Sequence, residues 1–158
     1  MALIRITTNT TGTQPIIKVS MSQDMANAIT VPFVQDLTVT NSTGVYSYTT
    51  FSDADTRKLS TPADNEISTN IVVDVDTWFG TVGDTGTTAA AKGLLNLSGA
   101  KDLLYFEVYY AGDATGKRFT KGEGFITGLA PTTSPEAPVW VSPLTIAVDG
   151  GFRQDTVA

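Results

Sequence analysis

The sequence predicts an all-β domain with one short helix, and three observations carry the prediction. Thr, Gly, Ser, Asn and Ala supply most of the polarity of a chain whose charged fraction is only 16%. That is a strand-and-turn composition, poor in the Glu, Lys, Arg and Leu that long exposed helices favour. Three long strand patterns, Leu103 to Tyr110, Lys117 to Leu129 and Val139 to Val148, fill the last third and are punctuated by Gly and Pro. One convincing helical pattern, Thr87 to Leu97, precedes them. At 158 residues the chain fits a single domain, and a domain of that size buries about two thirds of its unfolded surface without staples.

Residues 1–13 mix Leu3, Ile4 and Ile6 with a run of Thr, Asn and Gly, and read as a mobile arm or an edge strand. The domain itself is expected over 14–152, with 153–158 as a C-terminal tail. Ile17 and Val19 alternate with Lys18 and Ser20 in a first strand, Pro15 to Met21, and Val34, Leu37 and Val39 are the apolar members of a second, Phe33 to Thr40. Asn41 to Gly44 supplies turn residues before Val45 to Phe51, which predicts a hairpin. Ser52 to Glu66 reads as a long polar loop with Leu59 in its middle, of the length that is usually functional. Ile67 to Phe79 resumes strand alternation, with Ile67, Ile71, Val73 and Val75 on one face and Ser68, Asn70, Asp74, Asp76 and Trp78 on the other. In the helix that follows, Thr87 or Thr88 serves as cap, Leu94, Leu95 and Leu97 form the apolar side, and Gly99 is placed to stop it. Tyr105 to Tyr110 pairs with Phe119 to Phe125 through the Gly-rich connection 111–116. In the last strand Trp140, Ser142, Leu144, Ile146 and Val148 share a face, and Pro143 marks an edge position or a bulge.

Cys and His are both absent, which removes thiolate chemistry, disulfides, imidazole relays and the commonest metal ligands together. Net charge is -6, so binding dominated by attraction to a phosphate backbone is disfavoured. No apolar run reaches the ~20 residues of a membrane span, and no signal peptide is recognisable at Met1 to Thr7, so a soluble chain is expected.

Several short motifs carry chemistry elsewhere but lack their companions here. Ser98-Gly99-Ala100-Lys101 matches the Ser-x-x-Lys pattern of penicillin-recognising enzymes, yet no Lys-Thr-Gly strand accompanies it, and a helix C-terminus with a dipole-compensating Lys is the reading adopted. Gly112 to Arg118 resembles a phosphate loop but is one residue short, ends in Arg and lies between strands, as a hairpin turn would. Gly122 and Gly124 mark a bulge or a close backbone approach. Asp53/Asp55 and Asp74/Asp76 are spaced as calcium ligands might be, but neither pair continues into a binding loop. The aromatic residues Tyr105, Phe106, Tyr109, Tyr110, Phe119 and Phe125 are assigned to packing rather than to base stacking. No catalytic residue, cofactor or metal is expected.

The C-terminal order of strand, Gly-rich hairpin, strand ending Gly124-Phe125-Ile126-Thr127-Gly128-Leu129, Pro-rich loop Ala130 to Pro138, and strand ending Val148-Asp149-Gly150 resembles the tail tube proteins of long-tailed bacteriophages. The wider layout of N-terminal arm, early hairpin with long polar loop and one mid-chain helix agrees with that family. The resemblance implies a β-sandwich or part-barrel whose copies form hexameric rings with a continuous inner barrel, and rings that stack into a tube for DNA ejection. The implied partners are other copies of the chain, together with tape measure, terminator, distal tail or baseplate proteins and a sheath in contractile machines. DNA passes without specific binding and no membrane is involved. The implied location is the virion tail, assembled in the host cytoplasm.

Within that frame the long polar loop, with Asp53, Asp55, Arg57, Lys58, Leu59, Asp64 and Glu66, is expected to form the contact between rings, with the N-terminal arm as second candidate. Asp74 and Asp76 on the polar strand face are expected to line the lumen. Three rivals compete with the tube reading. A surface-recognition or capsid decoration module would share this composition but never polymerise, and a tube terminator would share the virion. An enzyme would be reduced to carboxylate-pair chemistry without an aromatic cleft.

Overall fold

The computed structural model describes residues 14–52 and 54–158, and the expected N-terminal arm, 1–13, lies outside them. Eight strands and three short helices follow in the order β1 (Ile16–Ser20), β2 (Ile29–Thr30), β3 (Val34–Tyr48), β4 (Arg57–Val72), α1 (Val75–Phe79), α2 (Ala89–Lys92), α3 (Leu94–Ala100), β5 (Leu104–Tyr109), β6 (Arg118–Leu129), β7 (Thr132–Ser134) and β8 (Ala137–Thr156). The strands form one antiparallel sheet in the order β2-β1-β5-β6-β8-β4-β3, with β7 attached to β8. The all-β class holds; the sheet does not close on itself, and among the described residues β3 is left as a free edge.

The core follows from the two-residue strand period. Ile17 and Val19 lie opposite Val108 and Phe106, and Ile67 lies opposite Ile146, which in turn faces Ile126. All of these side chains are buried, and Trp78, Ala89, Leu94 and Leu97 of the helices complete the same cluster. Each large aliphatic side chain so buried contributes about 1.5–3 kcal/mol. The strand glycines are close approaches. A Cβ on Gly122 would lie 2.8 Å from the Phe106 ring, and one on Gly124 would lie 2.2 Å from Ala147 O. A bulge also falls between Lys121 and Glu123.

Several boundaries differ from the sequence reading. The expected hairpin at 41–44 does not exist, because Val34 to Thr40 and Val45 to Tyr48 belong to the single strand β3. The turn lies at its far end, and the expected loop 52–66 is strand from Arg57 onward. The missing signal is burial: from Thr40 to Ser47 and from Arg57 to Asp64 every described residue is exposed, so nothing imposed alternation on the sequence. The strand expected to run to Phe79 ends at Val72, because Asp74 caps α1 by accepting from Thr77 N at 3.2 Å. Val73 still keeps the core parity and packs against the cluster, whereas Val75 continues the alternation in sequence only and is exposed.

The helix expected at 87–97 is present as α2 and α3, broken at Gly93. Thr88 is the cap, accepting from Ala91 N at 3.3 Å. Gly99 lies inside α3, which instead stops at left-handed Lys101. The tail expected at 153–158 continues β8 to Thr156, paired with Arg118. Pro143 falls where β8 is locally an edge, as the sequence suggests: it pairs with Asn70 of β4, while the β6 pairing reaches only to Leu144 and β7 pairs at Val141, so little of the ladder is lost to its missing N–H.

Candidate assembly surfaces

The outer parts of β3 and β4 form a two-stranded arm with no core beneath it. From Thr40 to Tyr48 the arm extends about 25 Å at the usual strand rise. Its base is fixed by buried Asn65, whose Nδ2 donates to Gly150 O at 3.0 Å. Midway, the register shifts between Thr43/Ala63 and Val45/Ser60, leaving two residues of β4 against one of β3. Pro62 occupies this bulge, where a missing N–H is tolerated. The extra residue reverses the side-chain alternation of β4, so Leu59 lies across from Tyr46 and Arg57 across from Tyr48. Tyr46 and Tyr48 stack on each other at 6.2 Å between centroids. One face of the arm thus carries two tyrosines, a leucine and an arginine, with Tyr46 61% and Leu59 55% exposed. The opposite face carries Val45, Ser47, Lys58 and Ser60.

The expected inter-ring residues divide accordingly. Arg57, Lys58 and Leu59 meet on the arm, Asp55 sits on its turn, Asp64 pairs with Ser42 further down, and Glu66 pairs with Thr40 at the root. Asp53 lies outside the described residues. Asp74 and Asp76 are not on a strand face at all. They occupy the cap and first turn of α1, beyond the opposite end of β4.

That opposite end has its own exposed apolar group, which sequence reasoning missed. Val72 N donates to Phe33 O at 3.4 Å and Val73 N donates to Trp140 O at 2.9 Å, so the start of β3, the end of β4 and the start of β8 converge. Phe33 is 68%, Val75 68% and Trp140 52% exposed there, with Val139 beside them. The available signal was Trp140 itself, which keeps the core parity of β8 but lies two residues before the first buried position, Ser142.

The sheet face away from the helices has two halves. Across β1, β5, β6 and β8, Lys18, Glu107, Lys121 and Arg153 stand in one row. Lys18 Nζ reaches Asp113 at 3.1 Å and Lys121 Nζ reaches Asp155 at 2.5 Å. The hydrogen bond from Lys18 holds the Asp113 carboxyl below the usual carboxylate range, and that from Lys121 does the same for Asp155. Tyr109 donates to Glu107. Burial of the phenol first, and then this bond, push its ionisation above the ordinary tyrosine range. Across β3, β4 and β8 the same face carries Thr38, Ser68 and Thr145 in register, flanked by Asp36 opposite Asn70 and by Glu66 opposite Thr40.

A recess of about 160 Å³ beside Tyr105, Glu107, Lys121 and Arg153 is smaller than the roughly 300–1,000 Å³ of ordinary ligand sites. Among the described residues no group of His, Cys, Asp or Glu is arranged to hold a metal, and no helix is long and apolar enough to cross a membrane. The motifs set aside from sequence fall where the plainer readings put them. Lys101 N closes the end of α3 on Ser98 O at 3.2 Å, and 110–117 joins β5 to β6 as a hairpin connection. Phe106 is in the core, and Tyr109 stacks on Phe119 at 4.8 Å.

No protein-family model and no curated protein matches the sequence. Among solved structures, the chain is similar to a chain in the tail of an empty gene transfer agent particle, helically refined with C6 symmetry, at TM-score 0.64 and 12% identity over 89% of this chain and 95% of that one. It is similar to a chain in the virion of the native gene transfer agent particle at TM-score 0.60 and 13% identity, with the same 89% and 95% coverage. The six-fold symmetrised baseplate of the anti-feeding prophage holds a third similar chain, at TM-score 0.54 and 8% identity over 96% and 98%. The likeness is one of fold and spans nearly the whole of each chain.

Proposed function

We propose that this chain is a structural, non-enzymatic subunit of a phage-type tail tube, closing into six-membered rings that stack into a conduit for DNA. The observation that carries the reading is the exposed β3–β4 arm on a fold similar to chains of six-fold tail particles. A projecting arm with stacked tyrosines and an exposed leucine is costly to leave in water, and a patch of that kind marks a protein contact. Ring closure uses the sheet edges, since the β3 edge, unpaired among the described residues, is a template for main-chain pairing with a neighbour. In this arrangement the helix-free face turns to the lumen. Its Thr38, Ser68 and Thr145 row offers no cation to hold a phosphate, Asp36 and Glu66 beside it repel one, and Lys18 and Lys121 are matched with Asp113 and Asp155, which leaves Arg153 as the remaining cation of the charged row. That face replaces the Asp74 and Asp76 strand face as the proposed lining.

Electron microscopy of the purified protein across a concentration series tests the proposal. Rings and hollow tubes of uniform width with six-fold averages are expected. A monodisperse monomer or trimer at every concentration would overturn it in favour of a surface-recognition module.

A further inference from the structure

Resting on the stacking reading above, we propose that the surface receiving the arm is the opposite end of the same hairpin on a second copy: the end where Phe33, Val75 and Trp140 are exposed, with Asp76 on α1 and Glu136 on the β7–β8 turn supplying its charge. The two surfaces lie at the two ends of one rod. From Val34 to Tyr48, β3 has 15 residues, which span about 45–50 Å at the strand rise. The arm exposes Tyr46 and Leu59 at one end, and the convergence of β3, β4 and β8 exposes Phe33, Val75 and Trp140 at the other. The two patches differ, so joining them is a head-to-tail contact. Repeated by translation, such a contact builds an open stack instead of a closed dimer.

Charge supports the same pairing. Between Lys18 and Lys92 the sequence holds two cations, Arg57 and Lys58, and both lie on the arm at the level of its tyrosines. From residue 122 to residue 152 it holds none, and the far end carries Asp74 and exposed Asp76 on α1 and exposed Glu136 in the turn between β7 and β8. Asp55 on the turn and Asp64 toward the root bracket the cationic pair, so attraction is confined to one level of the arm and fixes register as well as partner. Aromatic anchors inside a charged rim are the usual anatomy of such contacts.

The test is charge reversal in the full chain, read as the critical concentration for tubes. Arg57→Glu with Lys58→Glu on one chain, and Asp76→Lys with Glu136→Lys on another, should each keep the thermal melt of the parent while raising the critical concentration about tenfold or more. Mixed in equal amounts, the two variants should co-assemble near the parental concentration, because each reversed arm then meets a reversed rim. Trp140→Ala should raise the critical concentration about thirtyfold, as loss of an aromatic anchor does. Parental tubes with reversals that have no effect, or with no recovery on mixing, would overturn this pairing while leaving the stacking reading intact. A parent that never forms rings or tubes would overturn both.

Discussion

Gly80 and Gly93 meet backbone to backbone: a Cβ on Gly93 would lie 2.3 Å from Gly80 N, and one on Gly80 would lie 2.2 Å from Ala91 O. Both residues also hold positive φ, 76° and 81°. The contact locks the end of α1 against the break between α2 and α3, and so sets the helix layer over the sheet. Gly93→Ala therefore combines a left-handed backbone penalty with a clash against main chain that cannot move aside, and should cost about 3 kcal/mol. In a domain of this size that lowers the melting temperature by about 6–12 °C. Gly99→Ala is the matched control, since it lies within α3 with open space around it. It should be neutral or stabilising by up to about 1 kcal/mol. Calorimetric melts of the two variants decide, and equal melting temperatures would sink the locking argument.

Acid sensitivity on the helix-free face should track Lys18 and Lys121. Both partner carboxyls, Asp113 and Asp155, are held below the ordinary range by hydrogen bonds from those lysines. A depressed folded value means that their contribution is present above the unfolded value of about 3.9 and is lost as pH falls through the folded one. The effect is small because both acids are exposed. Carboxyl-resolved NMR titration should give midpoints below about 3.9 for both, and Lys121→Met should move Asp155 upward while leaving Asp113 in place. An unmoved Asp155 would show that its partner lies elsewhere.

At the alkaline end the corresponding group is Tyr109. Burial, reinforced by its bond to Glu107, keeps the phenol neutral beyond the usual tyrosine value of about 10. A raised value means that the contribution is complete below the unfolded value and is lost as pH rises through the folded one. Ultraviolet titration of the five tyrosines should leave one ionising last, and Glu107→Gln should bring that step to lower pH. Five coincident ionisations in the folded protein would contradict the assignment.

The parts of the fold that were legible in sequence are those with one buried face. Ile17/Val19, Ile67/Ile71 and Leu144/Ile146 alternate because the core demands it, and each of these six is buried as the alternation requires. Thr88 and its alanines were legible because capping is local chemistry. The arm was not, because a strand pair with two wet faces imposes no period, and its Asn, Ser, Thr and Gly residues imitate a turn. Asp74 misled in the opposite way. It continued the polar parity of β4, but its carboxylate had the nearer use of capping α1. The far end was invisible for a third reason: Phe33, Val75 and Trp140 are far apart in sequence, and their segments come to one end of the sheet only once β3, β4 and β8 are in register.

The arm should be separable from the fold. Thr43 and Ala63 are directly opposed below the bulge, so replacing residues 44–62 by Asn-Gly closes the strands with a two-residue turn whose twist suits them. None of the residues removed belongs to the buried core. Cutting at 65 instead would remove Asn65 and its bond to Gly150, and would confuse loss of assembly with loss of fold. The shortened chain should melt within a few degrees of the parent, since fully exposed residues contribute little to stability. It should still form rings, because the β3 edge below Thr43 is untouched, but electron microscopy should show no elongation at concentrations where the parent makes tubes. Normal tubes from the shortened chain would remove the arm from the stacking contact, and loss of rings together with tubes would assign it to closure within the ring.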